Sequence, residues 1–394
     1  MKVSQVATLI NSVTSEIIGE SAVINEDLSN VVDIGKQIFD NTSYDNFVRS
    51  LVDHIGRVIF VDRVYTGNTL AIKRDAWEYG SVLEKISAGL PAATENETWT
   101  LEDGASYDPN VFTKPEVMAK FYDKRVTFEI PLSIADKQVK SAFSSATQLN
   151  AFVSMLWGMV DKSMTVKLEG LASRLVTSMI GATINDEFPS VSDNDYSNST
   201  GVKAINLLKC YNTDYGLTGG SALTKDNCLL SENFLKYASL QIEKTLARLT
   251  RLSTLFNIGG QPRFTPKELQ HLILLSDFKA ASDVMLQSGV FHDQYTALPN
   301  STEVPYWQGS GTGYALSSVG NVHVEVPAGD TTKEINLGYV LGVAFDHDAL
   351  MLACLDERTT SNYNGKAEFT NYWRKVDCGL MQDNNENFVV FFIA

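Results

Sequence analysis

Trp77-Glu78-Tyr79-Gly80-Ser81-Val82-Leu83-Glu84-Lys85-Ile86, with its entry Ser50-Leu51-Val52-Asp53-His54-Ile55-Gly56-Arg57, is the stretch whose reading decides the architecture. The entry reads as the end of a helix that gives way to alternation at Val58, Phe60, Asp62 and Val64, turns at Tyr65-Thr66-Gly67-Asn68, and resumes at Leu70 and Ile72. The return leg comes only at Lys124-Arg125-Val126-Thr127-Phe128-Glu129-Ile130-Pro131. Between the legs, Thr94-Glu95-Asn96-Glu97-Thr98-Trp99-Thr100-Leu101-Glu102-Asp103-Gly104 is too polar to form a core, yet it carries an isolated aromatic. The pattern predicts a two-strand excursion with no interior of its own. Trp77, Tyr79 and Trp99 then need cover, from their own subunit or from a neighbouring one, and a long projecting loop points to self-association.

At 394 residues and 44% hydrophobic, the chain can bury one large core or two ordinary ones. Its net charge of -15 comes from 47 acidic and 32 basic residues, the basic ones dispersed, which excludes a grip on nucleic-acid phosphates. Such a surface suits a wall that weakly repels enclosed DNA, and equally suits simple solubility. No apolar run reaches the roughly 18 to 20 residues of a membrane span, and Met1-Lys2-Val3-Ser4-Gln5 does not open a signal peptide, so cytosolic synthesis is expected. Cys210, Cys228, Cys354 and Cys378 lie far apart in sequence, with neither metal-ligand spacing nor a disulfide framework, and read as free thiols.

Apolar residues at Leu149, Val153, Leu156, Val160, Met164, Leu168, Leu171, Leu175 and Met179 predict one long helix over 145–180. Gly158, Gly170 and Gly181 interrupt it, as bending points or as places of close packing. Amphipathic spacing also predicts an N-terminal helix over 1–18 and a helical arm over 29–39. A short helix is expected at 202–210, a serine-capped helix at 231–255, a buried strand at 269–276 and a helix at 278–287. The end is strand-rich, at 322–326, 339–345, 349–355, 369–380 and the apolar run Phe388 to Ile393, which predicts a C-terminus tucked into a sheet.

Chemistry finds little support. Gly309-Ser310-Gly311-Thr312-Gly313 lacks the lysine and helix start of a phosphate loop. Asp346-His347-Asp348 reads as a strand-connecting turn, and His54, His271, His292 and His323 accompany no nucleophile in an elbow setting. No catalytic residue, metal or cofactor is expected.

The order of parts resembles the major capsid proteins of tailed bacteriophages, an α+β architecture known as the Hong Kong 97-like fold. Local likeness is to capsid proteins of small phages of Gram-positive bacteria. It lies in Ser50 to Val58, Trp77 to Ile86, His271-Leu-Ile-Leu-Leu-Ser-Asp-Phe-Lys-Ala, Gly342-Val-Ala-Phe-Asp-His-Asp-Ala-Leu and Thr370-Asn-Tyr-Trp-Arg-Lys-Val-Asp-Cys-Gly. The resemblance implies an N-terminal arm over 1–45, an extended loop over 61–120 and an axial domain over 185–345. The peripheral domain would comprise 46–60, 121–184 (with the spine helix 145–180) and 346–394. It implies self-assembly through pentamers and hexamers into an icosahedral shell around double-stranded DNA, formed in the host cytoplasm and retained in the virion, with portal and scaffolding proteins as partners. Trp77, Tyr79, Trp99, Phe47 and Val48 are the expected inter-subunit anchors, since aromatics dominate interface energetics. Some relatives cross-link loop lysines to asparagines; Lys73 and Lys85 against Asn362, Asn364 and Asn371 are too common as residue types to carry that expectation. The rival readings are a bacterial nanocompartment shell of the same fold and an acidic cytosolic enzyme. The insertions at 185–230 and 290–335 speak against the first.

Overall fold

A computed structural model describes residues 64–74, 82–91, 93, 95, 102–105, 110, 112–135, 146–289, 301–307, 319–328 and 331–394. The expected arm over 1–45 and the anchors Phe47, Val48, Trp77, Tyr79 and Trp99 lie outside them.

In chain order come β1 (Lys73–Arg74), β2 (Leu83–Ala88), β3 (Val117–Tyr122), β4 (Arg125–Ala135), α1 (Ala146–Glu187), β5 (Ala204–Asn206) and α2 (Leu207–Asp214). They are followed by α3 (Glu232–Leu249), β6 (Gln270–Leu275), α4 (Ser276–Gly289), β7 (Ser301–Val304), β8 (Val322–Ala328), β9 (Thr331–Leu337), β10 (Val340–Asp346), β11 (Leu350–Asn364), β12 (Phe369–Gln382) and β13 (Phe388–Phe392). Four strands form a sheet in the order β1-β11-β12-β4, and five form another in the order β5-β13-β10-β6-β7; β2-β3 and β8-β9 are two-stranded hairpins. Among the described residues no helix is long and apolar enough to cross a membrane.

The chain divides into two compact units. In the smaller, the described residues are Val64 and Tyr65, the end of β4, the N-terminal part of α1 and the tip of β11-β12. There Trp157 meets Tyr372 edge to face at 5.4 Å, and the Ser133 hydroxyl bonds Asn371 Oδ1 at 2.6 Å.

The larger unit is organised by the five-stranded sheet, which is apolar on both faces. Ile273 and Leu275, Val343 and Phe345, and Phe388, Val390 and Phe392 enter one core; Leu272 and Leu274, Leu341 and Ala344, and Val389 and Phe391 enter the other. A strand covered on both sides has no use for alternation, which is why His271-Leu-Ile-Leu-Leu and Phe388-Val-Val-Phe-Phe read as continuous apolar runs. The first core is closed by the C-terminal turns of α1, from Leu168 to Ile184, by β8 and β9, and by Leu70 and Ile72. The second is closed by α2, α3 and α4. Trp307 is buried, its indole N–H donating to the Val340 carbonyl at 2.8 Å.

α1 runs seven residues beyond the expected end at 180, because Ile184 still reaches the core. Its glycines differ. A methyl group at Gly181 would sit 2.9 Å from Val326 Cγ2 and 3.3 Å from Val324 Cβ, whereas one at Gly170 would meet nothing within 4 Å. Gly181 therefore marks close packing. The short helix expected at 202–210 is instead strand β5 followed by α2. Asn206 caps α2, accepting from Lys209 N at 3.1 Å while its amide donates to the Tyr196 carbonyl at 3.2 Å. Ser231 caps α3 as expected, accepting from Phe234 N.

The segment 346–394, expected as one piece of a peripheral domain, contributes strands to two sheets. β11 and β12 belong to the four-stranded sheet, but β13 pairs antiparallel with β10 and parallel with β5, so the C-terminus is built into the interior of the five-stranded sheet. The start of the excursion at 61–120 is anchored in the first core, not in an interior of its own. Leu70 and Ile72 are buried, and β1 pairs in parallel with β11.

Candidate assembly surface

The hairpin β2-β3 is the region whose construction departs from that of a folded core. Its register sets Leu83 opposite Tyr122, Lys85 opposite Lys120 and Ser87 opposite Met118 on one face; Glu84 opposite Phe121, Ile86 opposite Ala119 and Ala88 opposite Val117 occupy the other. Two lysines directly opposed across a ladder repel each other. The hairpin holds them because a carboxylate stands between them.

That carboxylate is Asp383, in the connection from β12 to β13. Its side chain is almost wholly buried, and it accepts from Lys85 Nζ at 2.8 Å on one oxygen and from Lys120 Nζ at 3.0 Å on the other. Glu386, three residues on, accepts from Lys85 at 2.7 Å and from Arg263 Nε at 3.2 Å. The loop is rigidly tied: Asp383 N donates to the Ala349 carbonyl, and Asn385 N to the Asp383 carboxylate. Burial disfavours the Asp383 anion, but the bonds from Lys85, from Asn385 N and from Lys120 outweigh it and hold the carboxyl at about 2. Burial also opposes the Lys85 ammonium, and its bonds to Asp383 and then Glu386 overcome that, raising its pKa. Tyr122 lies beneath the Lys120 ammonium, 5.8 Å from Nζ to ring centre; burial and the Asp383 charge keep its phenol protonated.

The face with the two lysines thus turns inward, and the largely apolar face, with Glu84 at one end, turns outward. Ile86, Val117 and Phe121 are 64%, 60% and 62% exposed, with Ala88 and Ala119 between them. Ile86 and Phe121 are diagonal neighbours on one face, so these side chains make a contiguous patch rather than scattered exposure. A second exposed group, Leu252, Leu255 and Phe264, flanks the backbone bridge between Ser253 and Arg263.

None of the five expected anchors falls among the described residues, so the patch described here consists of other side chains. The alternation of Glu84, Ile86 and Ala88 against Lys85 and Ser87 was available in the sequence, but pattern alone assigns an apolar face to the inside. Only the distant carboxylates at 383 and 386 reverse it. The Asp346-His347-Asp348 turn does serve as a turn, Asp346 accepting from Asp348 N. It also holds Arg74 through Asp348 at 3.0 Å, and places His347 Nδ1 2.8 Å from His271 Nε2.

This architecture is found in tailed-phage capsids. The chain superposes on a chain of the capsid structure of Staphylococcus phage Andhra with a TM-score of 0.51 at 10% identity, covering 86% of this chain and 87% of that one. It superposes on a chain of a bacteriophage P68 structure, described as that of the head fiber and inner core protein gp22, with a TM-score of 0.52 at 8% identity over the same shares. The α+β, Hong Kong 97-like class expected from the order of parts is therefore the class observed. The chain belongs to the Phi29-like phage major capsid protein family, whose profile matches residues 7–392. It is 26% identical to the major capsid protein of Bacillus phage B103 over 293 residues, 72% of this chain and 55% of that protein. It is 26% identical to the major capsid protein of Bacillus phage GA-1 over 150 residues, 34% of this chain and 30% of that one. The chain thus aligns with about half the length, or less, of these curated relatives.

Proposed function

We propose that this chain is the shell subunit of a phage head, self-assembling through pentamers and hexamers into an icosahedral container for double-stranded DNA. The observation that carries the reading is the inverted hairpin, a β-ribbon tied to its own subunit by ions and offering Ile86, Val117 and Phe121 outward. A soluble monomer has no reason to spend five charged residues on keeping an apolar face wet; a subunit that meets a copy of itself does. Trp77, Tyr79 and Trp99, on the same stretch of sequence, and Phe47 and Val48, ahead of it, are the further anchors of this reading.

In this reading the five-stranded sheet with α2, α3 and α4 is the axial domain, β13 included. α1 and the four-stranded sheet form the peripheral domain, preceded by an arm over 1–45. The net charge of -15 keeps the wall from adhering to packaged DNA. Portal and scaffolding proteins are the partners such a shell requires, and the virion its final place. Sedimentation of the purified protein tests the proposal. Megadalton particles or capsomers are expected, and a small oligomer at all concentrations contradicts it.

A further inference from the structure

Cys354 on β11 and Cys378 on β12 lie on neighbouring strands of the four-stranded sheet, with their sulfurs 3.9 Å apart. Nothing in their sequence spacing announces this. Cys378 is buried and Cys354 half-buried, so Cys354 is the more accessible residue of the pair. Cys354 also lies near Lys73 of β1, the strand on the far side of β11.

We propose that Cys354 and Cys378 form a reversible dithiol/disulfide couple, closed by exchange with a small disulfide such as glutathione disulfide. The Cys354 thiolate attacks one sulfur of the reagent, whose S–S bond breaks and releases one glutathione thiolate. Cys378 then gives its proton to solvent and attacks the Cys354 sulfur of the mixed disulfide. The second glutathione thiolate leaves, and each departing thiolate takes up a proton. The protein dithiol is oxidised by two electrons, and one glutathione disulfide is reduced to two glutathiones.

The division of labour follows from the surroundings. The hydrogen bond from Cys378, helped by the Lys73 charge, lowers the Cys354 thiol against its own burial, while the same contact and burial push Cys378 up. Cys354 is the attacking and Cys378 the resolving thiol. The bond would staple β11 to β12 and close the long hairpin they share. Reducing conditions leave it open, and transfer to an oxidising medium closes it. The couple stands on the geometry of this chain alone, whatever the chain assembles into.

The test is equilibration of the full chain in glutathione buffers of increasing disulfide fraction, followed by thiol counting in denaturant, peptide mapping without reductant and a melting curve. The expected result is a fall from four titratable thiols to two, a peptide joining Cys354 to Cys378, and a melting temperature raised by several degrees that returns on reduction. Cys378→Ser should stop at a glutathione adduct on Cys354. Cys354→Ser, at a half-exposed position, should leave the remaining thiols untouched, and it keeps the test open if the buried serine prevents folding. Four persistent thiols, a glutathione adduct on wild-type Cys354 without the internal bond, or pairing of Cys354 with Cys210 or Cys228 would each overturn the proposal.

Discussion

The five-stranded sheet and the hairpin β2-β3 are both β-structures of one chain, and they are held by opposite means. The sheet buries apolar side chains on both faces and is held in its middle strands by apolar contact. The hairpin faces its own subunit with Lys85, Lys120 and Tyr122, locks them onto Asp383 and Glu386, and leaves its apolar side in water. Apolar burial is non-directional and would let a two-stranded ribbon slide; bonds from two ammonium groups to one carboxylate fix its register and its sidedness. The subunit spends ion pairs to position a greasy surface, which is sensible only if that surface is used after folding.

The largest effect should come from the sheet. Truncation after Asn387 removes β13, an interior strand, with Phe388, Phe391 and Phe392 all buried. At about 3 to 5 kcal/mol for each lost phenylalanine, this is as large as the whole stability of an ordinary domain. No soluble folded protein is expected, and a truncated chain with an unchanged melting curve would remove the sheet from its central place.

Lys85→Met tests the hairpin. It leaves Asp383 and Glu386 buried without the cation that joins them, at a cost of about 3 kcal/mol. The expected reading is a lower urea midpoint together with faster amide exchange in β2 and β3. If exchange rises equally throughout the five-stranded sheet, the two regions are not separately held.

Acid provides a graded version. Asp383 titrates at about 2 in the folded chain against 3.8 for the free group, so its contribution is present above roughly pH 4 and lost as pH falls through about 2. The shift is worth on the order of 2 kcal/mol. Lys85 is raised above 10.5, so its contribution is present below that pH and disappears only as pH rises through the higher folded value. Stability curves for the wild type and Asp383→Asn should converge as the pH approaches 2 and separate above 4. Parallel curves would show that Asp383 does not govern the acid limb.

The smallest effects are at two glycines of α1. Gly181→Ala should destabilise by about 1 to 2 kcal/mol, since Val326 is stiff at its β-carbon and cannot swing aside. Gly170→Ala should stabilise by up to about 1 kcal/mol. Equal melting temperatures for the two would mean that the core around β8 gives way more easily than its contacts suggest.

What could be read from the sequence divides along the same line. α1, α3, β6, β12 and β13 were legible because burial imposes a period or an unbroken apolar run. The segment 331–337, Thr-Thr-Lys-Glu-Ile-Asn-Leu, carries no legible strand pattern because only Ile335 and Leu337 are buried in the core and the rest is polar. The placement of β13 beside β10, the 3.9 Å approach of Cys354 to Cys378 and the inversion of the hairpin depend on residues far apart in the chain. Local pattern carries none of that information. Trp77, Tyr79 and Trp99 lie outside the described residues, and the exposure of Phe121 and Ile86 is not legible in the sequence because an apolar strand face is read as inward by default.

The account rests on the claim that the outward face of β2-β3 serves assembly and not folding. The direct measurement is sedimentation and urea unfolding of the double variant Ile86→Asp, Phe121→Asp beside the wild type. Both side chains are already in water in the free subunit, so its unfolding free energy should stay within about 0.5 kcal/mol of wild type while shell-sized particles disappear. Normal particles from the variant, or a free subunit that loses several kcal/mol, would contradict it.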